Sequence, residues 1–181
     1  MKADDETRFR SIVLPHLADG YALARWLTGD RTDAEDVVQD ACVRAFRAIN
    51  AYAGGSARAW VLTIVRHAAY DWLRKNRAGV LVAVDDLAAV EHGLASRAAC
   101  AAAHDGETPE AALIAKADAA ALQAAIAALP PPFRETLVLR DVHGLNYREI
   151  AEVTGAPVGT VMSRLARARR HLISAMGTDR S

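Results

Sequence analysis

Between Leu145 and Leu172 the chain reads LNYREIAEVTGAPVGTVMSRLARARRHL, and no other stretch restricts its fold so tightly. A short helical pattern stops at Gly155-Ala156-Pro157, and a longer one begins directly behind it. Gly155 can take the positive φ that such a turn needs. Pro157 cannot extend the first helix but is tolerated where the second opens. Ile150 and Ala151 lie inside the first helix, where the small alanine lets the second helix approach. On the second, Val161, Leu165, Ala168 and Leu172 recur at spacings of four, three and four and make one apolar stripe. Thr160, Ser163, Arg164, Arg167 and Arg170 occupy another sector, with no carboxylate among them. The pattern predicts a helix-turn-helix whose second helix is anchored on one side and presents donors on another. Such a helix suits the major groove. Its N-terminal amides favour a phosphate, its Ser, Thr and Arg reach base edges, and its later arginines hold the backbone. The same geometry also serves as plain packing, and arginine-rich helices also meet acidic proteins.

The rest of the chain extends the helical reading. Apolar residues make up 52% of the 181, much of that alanine, which favours helix. Long alternating segments of β-branched and aromatic residues are missing, so an all-α fold is expected. Formal net charge is zero but unevenly spread. Residues 1–40 carry five basic and nine acidic side chains, residues 41–80 seven and one, residues 81–110 one and six, and residues 111–181 nine and six. Two basic zones around an acidic one suggest two anion-binding surfaces and a spacer. The N-terminus does not resemble a secretory signal, and no run of strongly apolar residues is long enough to insert in a membrane. Cys42 and Cys100 offer no disulfide framework. A cytosolic protein is expected.

Two small helical domains and a flexible linker emerge, with boundaries at 1–79, 80–109 and 110–181. In the first, Tyr21 to Leu27 reads as a helix ended by Gly29. Thr32 or Asp33 caps the next, with Thr32 and Glu35 at capping-box spacing. Val38, Cys42, Ala45 and Ile49, with Phe46 alongside, are the expected buried stripe of that helix; Asp36, Gln39, Asp40 and Arg47 fall opposite. Ser56 caps a long helix from about Ala57 to Asn76, whose apolar band is Val61, Ile64, Val65, Ala68 and Trp72. Arg66, Tyr70, Arg74 and Arg77 line another stripe of it. A basic stripe with an embedded aromatic can contact phosphates while stacking on an unpaired base. Equally, it can be a solvent face whose tyrosine covers a neighbour.

Val80 to Val84 reads as a brief extended segment before the acidic, alanine-rich linker. His92, Cys100 and His104 fall there without a recognised zinc spacing or a fourth partner, so no metal and no cofactor are expected. In the second domain Leu122, Ile126 and Leu129 carry a helical face, Pro130 to Pro132 end it, and Phe133 to Arg140 form another helix with Phe133, Leu137 and Val138 inward. His143-Gly144 breaks the chain ahead of the helix-turn-helix. Scattered histidines, no nucleophilic triad, no paired carboxylates and no glycine-rich phosphate loop leave no basis for an enzyme.

Taken in order, Asp33 to Ile49 (DAEDVVQDACVRAFRAI), Trp60 to Arg74 (WVLTIVRHAAYDWLR) and Leu129 to Arg169 (LPPPFRETLVLRDVHGLNYREIAEVTGAPVGTVMSRLARAR) resemble the conserved regions of bacterial RNA polymerase sigma factors. The chain is similar to the compact extracytoplasmic-function (ECF) group of the sigma-70 family, which keeps only domains two and four. The resemblance implies a transcription initiation factor that partners core RNA polymerase, through its clamp helices and flap, and promoter DNA. It implies that Asp36, Gln39 and Asp40 face polymerase. It places Arg66, His67, Tyr70, Arg74 and Arg77 at the melted −10 element, and Thr160, Met162, Ser163, Arg164, Arg167 and Arg170 at the −35 duplex. A linker similar to 80–109 crosses the polymerase active-site and RNA-exit region, where its negative charge can occupy the path of RNA. An anti-sigma factor is a further implied partner.

Two positions depart from the family pattern. His67 stands where asparagine is frequent, and Met162 where many members carry Lys or Arg. Imidazole can still stack on or hydrogen-bond a flipped base, and a thioether can meet a thymine methyl. Recognition split over two modules gives avidity once polymerase fixes their separation, so the isolated protein is expected to bind promoter DNA weakly. A dimeric helix-turn-helix regulator binding a palindrome would explain the C-terminal stretch but not the Arg66-Tyr70-Arg74 stripe.

Overall fold

The computed structural model describes residues 2–77 and 109–177, and every regular element among them is helical. The segment Val80 to Val84 and the residues His92, Cys100 and His104 lie outside the described residues. The N-terminal unit contains α1 (Lys2–Ile12), α2 (Leu17–Thr28), α3 (Arg31–Ala48) and α4 (Ala57–Asn76), with short 3₁₀ turns at Leu14–His16 and Ile49–Ala51. The C-terminal unit contains α5 (Pro109–Ala128), α6 (Pro131–Leu137), a π turn at Val138–Val142, α7 (Tyr147–Thr154) and α8 (Val158–Gly177). None of the described helices is long and apolar enough to cross a membrane.

In the N-terminal unit α2, α3 and α4 pack against one another. Their centre is Leu23, Leu27, Val37, Ile49, Leu62, Val65 and Leu73, all fully buried. Each large aliphatic side chain buried here contributes roughly 1.5–3 kcal/mol before entropy is counted. Gly20 is where α2 meets α4: a Cβ there would stand 3.0 Å from Val65 Cγ2, so a larger residue would require the Val65 side chain to give way by a few tenths of an ångström. Arg58 on α4 donates to the Asp19 carboxylate on α2 at 2.6 Å and closes the edge of that contact.

Two expectations shift here. The cap of α3 is Asp30, whose carboxylate accepts from the amides of Thr32 and Asp33, and not Thr32 or Asp33. Its buried stripe is Ala34, Val37, Ala41 and Ala45, continued by Ile49, while Val38 and Cys42 are half-buried and Phe46 is 45% exposed. Close packing of three helices selects the small side chains for the seam, whatever their larger neighbours would gain by burial. On α4 the Ser56 cap is as expected, accepting from the Ala59 amide, and Leu62, Ala69 and Leu73 join the apolar band.

In the C-terminal unit the helix expected over Phe133 to Arg140 is shorter, and gives way to the π turn, where the His143 amide donates to Val138 O. That turn is followed by α7, capped by Asn146. The Asn146 side chain accepts from the amides of Arg148 and Glu149, and Glu149 reaches back to the Asn146 amide at 2.7 Å. Replacing Asn146 by alanine should cost about 1 kcal/mol by orphaning those amides. Chemical denaturation of Asn146→Ala checks this, and an unchanged midpoint would contradict it. Gly155 closes α7 at φ 67, the left-handed geometry anticipated for the turn. The stripe Val161, Leu165 and Ala168 is buried, with Leu172 packed beside it, and α8 lies on α5, α6 and α7.

Candidate nucleic-acid interface

The helix-turn-helix is held from behind and open in front. Arg140 donates to Leu145 O at 2.8 Å and lies over the Tyr147 ring, bracing the entry to α7. Arg169 on α8 pairs with Asp141 of the π turn at 2.9 Å, a half-exposed contact that joins the two elements. With Val161, Leu165 and Ala168 turned inward, Met162, Ser163, Arg167 and Arg170 are exposed along the opposite side. Met162 is 51% exposed, an apolar side chain offered to whatever the helix meets. Among the described residues no carboxylate pairs with Arg167 or Arg170. Thr160 and Arg164 lie off this face, both half-buried.

The stripe on α4 is divided in the same way. Arg74 and Arg77 are exposed: Arg74 pairs with Asp71 at 2.7 Å, and Arg77 lies over the Trp72 ring, 3.9 Å from Asp33. His67 is exposed between them and Arg66. Partial desolvation, then the Arg66 charge, push its imidazole below the ordinary histidine value, with Asp71 opposing. It therefore offers a neutral ring near pH 7, one that can stack or form hydrogen bonds without adding charge.

Arg66 and Tyr70 turn instead toward the C-terminal unit. The Arg66 guanidinium grips Glu135 of α6 with two hydrogen bonds, at 2.8 and 3.2 Å. Its carbon stands 4.6 Å from the centre of the Tyr70 ring. Arg164 of α8 has Nη1 3.9 Å from Oε1 of the same carboxylate. Burial raises the Glu135 carboxyl above its usual range, and the Arg66 charge opposes that rise. Burial likewise pulls Arg66 down, but the charge and hydrogen bonds of Glu135, with Tyr70 beside them, together outweigh it, leaving Arg66 raised. Burial pushes the Tyr70 phenol well up; its hydroxyl is enclosed beside Glu135 without a well-formed hydrogen bond.

Two further contacts cross this boundary. Arg134 donates to Trp26 O and Leu27 O at the C-terminal end of α2, and also to Ala127 O and Leu129 O of its own unit. Burial lowers its guanidinium to about 10, still charged at neutral pH. His143, nearly enclosed, has Nδ1 3.7 Å from Asp19. Neither Glu135 nor Arg134 is marked in the sequence. They are two adjacent, oppositely charged residues within an apolar run, and their partners on α2 and α4 are distant in the chain.

On α3 the Asp36, Gln39 and Asp40 side chains are exposed together, Asp40 pairing with Arg44 at 2.7 Å. Val43, 48% exposed, follows them one turn on, so this face is acidic with an apolar end.

Residues 12–79 match the family Sigma-70 region 2, and residues 119–172 match Sigma-70, region 4. The chain is 34% identical over 162 residues to the ECF RNA polymerase sigma factor SigE of Mycolicibacterium smegmatis, a stretch that covers 89% of this chain and 58% of that longer protein. It is 31% identical to the RNA polymerase sigma-H factor of Pseudomonas aeruginosa, over 95% of this chain and 88% of that one. With the ECF RNA polymerase sigma factor SigW of Bacillus subtilis it shares 30% identity, over 95% and 90%. Among solved structures it is similar to the sigma factor RpoE of Bartonella quintana, crystallised with the anti-sigma factor NepR, at a TM-score of 0.70 and 26% identity, over 95% of this chain and 98% of that one. It is also similar to CnrH in complex with the cytosolic domain of CnrY, at a TM-score of 0.62 and 26% identity, over 96% and 89%.

Proposed function

Because this chain belongs to the extracytoplasmic-function group of the sigma-70 family of RNA polymerase sigma factors, we propose that its two units divide promoter recognition between them. It is an initiation factor that binds core RNA polymerase and directs it to promoters. Residues 1–79 form the polymerase-binding and −10 domain. Asp36, Gln39 and Asp40 meet the clamp helices there, and Arg66, His67, Tyr70, Arg74 and Arg77 receive the melted strand. Residues 80–109 connect the domains. Residues 110–181 read the −35 duplex through Thr160, Met162, Ser163, Arg164, Arg167 and Arg170.

The observation that carries this reading is the outer face of α8. Met162, Ser163, Arg167 and Arg170 are exposed on a helix whose other side is fully anchored. Opening the promoter involves no covalent chemistry by the protein. Unstacking a base costs a few kcal/mol, offset by the pocket and stacking contacts that capture it. The protein acts in the cytoplasm, catalyses no reaction itself, and has an anti-sigma factor as a partner, a reading supported by its similarity to the sigma factor RpoE, which was crystallised with the anti-sigma factor NepR.

Run-off transcription with purified core polymerase, with and without the protein, on sheared DNA from its own organism tests the reading. Discrete 5′ ends that depend on the protein and share elements roughly 35 and 10 base pairs upstream are expected. No such starts and no binding to core polymerase would refute it.

A further inference from the structure

The outer side of α8 holds more than arginine. Val158 and Met162 are 39% and 51% exposed and stand one helical turn apart on the same side. Gly159 lies beside both, next to Val158 in the chain and three positions before Met162, and it is exposed too. Its φ is not left-handed, and a Cβ there would meet nothing within 4 Å among the described residues. Neither the backbone nor the packing of those residues calls for glycine here, although glycine weakens a helix relative to alanine. The missing side chain leaves a shallow notch on the helix surface, bordered by the apolar Val158 and Met162.

What surrounds the notch says what can fill it. Ser163, Arg167 and Arg170 are exposed on the same open face, and among the described residues no carboxylate pairs with either arginine. A complementary surface is therefore anionic or rich in acceptors, yet carries a small apolar group at the place where α8 begins. The major groove of duplex DNA has that combination: phosphates along its edges, base acceptors on its floor, and the C5-methyl of thymine as its one apolar group. Residues at the start of a recognition helix are those that reach base edges. Val158, Gly159 and Met162 lie in the first two turns of α8, ahead of both arginines. A methyl group is also the size of the alanine side chain that Gly159 lacks.

We propose that Val158, Gly159 and Met162 form a methyl-reading notch that holds the C5-methyl of a pyrimidine in the −35 element. Thymine supplies that methyl in unmodified DNA, and 5-methylcytosine supplies it in modified DNA. The inference rests on the assignment of α8 to the −35 duplex. It adds Val158 and Gly159 to the base-facing residues and gives Met162 a role distinct from that of the arginines. Contact with a methyl is burial of apolar surface and is insensitive to salt, whereas arginine–phosphate contacts weaken as salt rises.

The test uses holoenzyme assembled from core polymerase and the full chain, on a promoter recovered by the run-off assay. Each thymine of its −35 element is replaced singly by deoxyuracil, which removes only the methyl, and each cytosine singly by 5-methylcytosine. Holoenzyme is then titrated on every template and the transcripts are quantified. At one thymine, the deoxyuracil template should need about fourfold more holoenzyme at every salt concentration, as expected for one methyl no longer buried. A gain of similar size on methylation of one cytosine would assign the notch to 5-methylcytosine instead. Met162→Ala should use methylated and unmethylated templates alike. Gly159→Ala, which fills the notch, should do the same while raising the thermal midpoint of the chain, because alanine is the better helix former. Protein-dependent starts that ignore every methyl change, or folded variants that keep the full methyl response, would overturn the notch and leave the functional reading standing. No protein-dependent start on any template would overturn that reading and the notch with it.

Discussion

Run-off transcription by polymerase carrying the double variant Arg167→Ala/Arg170→Ala is expected to fall on the order of a hundredfold at physiological salt. Both side chains are exposed on the open face of α8, and no carboxylate among the described residues holds either one. Alanine is the best helix former, so α8 keeps its fold and its buried stripe. A well-made base contact is worth about 1–3 kcal/mol of discrimination, and a lost phosphate contact weakens binding across sequences. A combined loss of about 3 kcal/mol corresponds to roughly a hundredfold, at 1.4 kcal/mol per factor of ten. The salt dependence should also flatten, by roughly one unit of slope for each phosphate contact removed. Arg169→Ala is the comparison. That side chain is already paired with Asp141, so its loss should act mainly through the setting of α8 and cost less. Undiminished transcription by a folded double variant would exclude this face from promoter binding.

The second large effect is on stability. Ile150→Ala should destabilise the C-terminal unit by about 2–5 kcal/mol, the range for removing a buried aliphatic side chain. Ile150 is 0% exposed on α7, the helix that lies between α8 and α4. A helical unit this small has limited core, and such a loss is a large fraction of its stability. Thermal unfolding followed by circular dichroism should show a midpoint at least about 8 °C lower, since 1 kcal/mol shifts a domain of this size by roughly 4–8 °C. Ile150→Val, which keeps most of the side chain, should cost about 0.5–1.5 kcal/mol. Equal midpoints for Ile150→Ala and wild type would mean that α7 does not anchor the recognition helix.

The helix-turn-helix was legible in advance because each of its determinants is local. Gly155 adopts the expected left-handed φ, and Val161, Leu165 and Ala168 form the expected anchor. The long helix Ala57–Asn76 with its Ser56 cap is local in the same sense. The capping box of Asn146 and Glu149 was equally local and escaped notice, although its N-x-x-E spacing stands in the sequence. On α3 the expected stripe is met only in part: Ala45 and Ile49 are buried, Val38 and Cys42 half-buried and Phe46 exposed. Periodicity allowed either of two adjacent stripes, and hydrophobicity favoured the one with Val38, Cys42 and Phe46. Packing against α2 and α4 chose Ala34, Val37, Ala41 and Ala45, because three helices drawn this close leave room for small side chains at the seam.

The amino-acid sequence by itself determined the helical class, the two modules, the recognition helix and which of its faces is anchored, since these depend on residues within a few turns of one another. Only the tertiary structure decided that the stripe Arg66, Tyr70, Arg74 and Arg77 is divided, its first two members enclosed and its last two exposed. The reason is distance along the chain. Arg66 and Glu135 are 69 positions apart, and Arg134 and Trp26 are 108 apart. Helical periodicity says which residues share a face, but a charge becomes buried only when a second unit covers that face and brings the opposite charge with it.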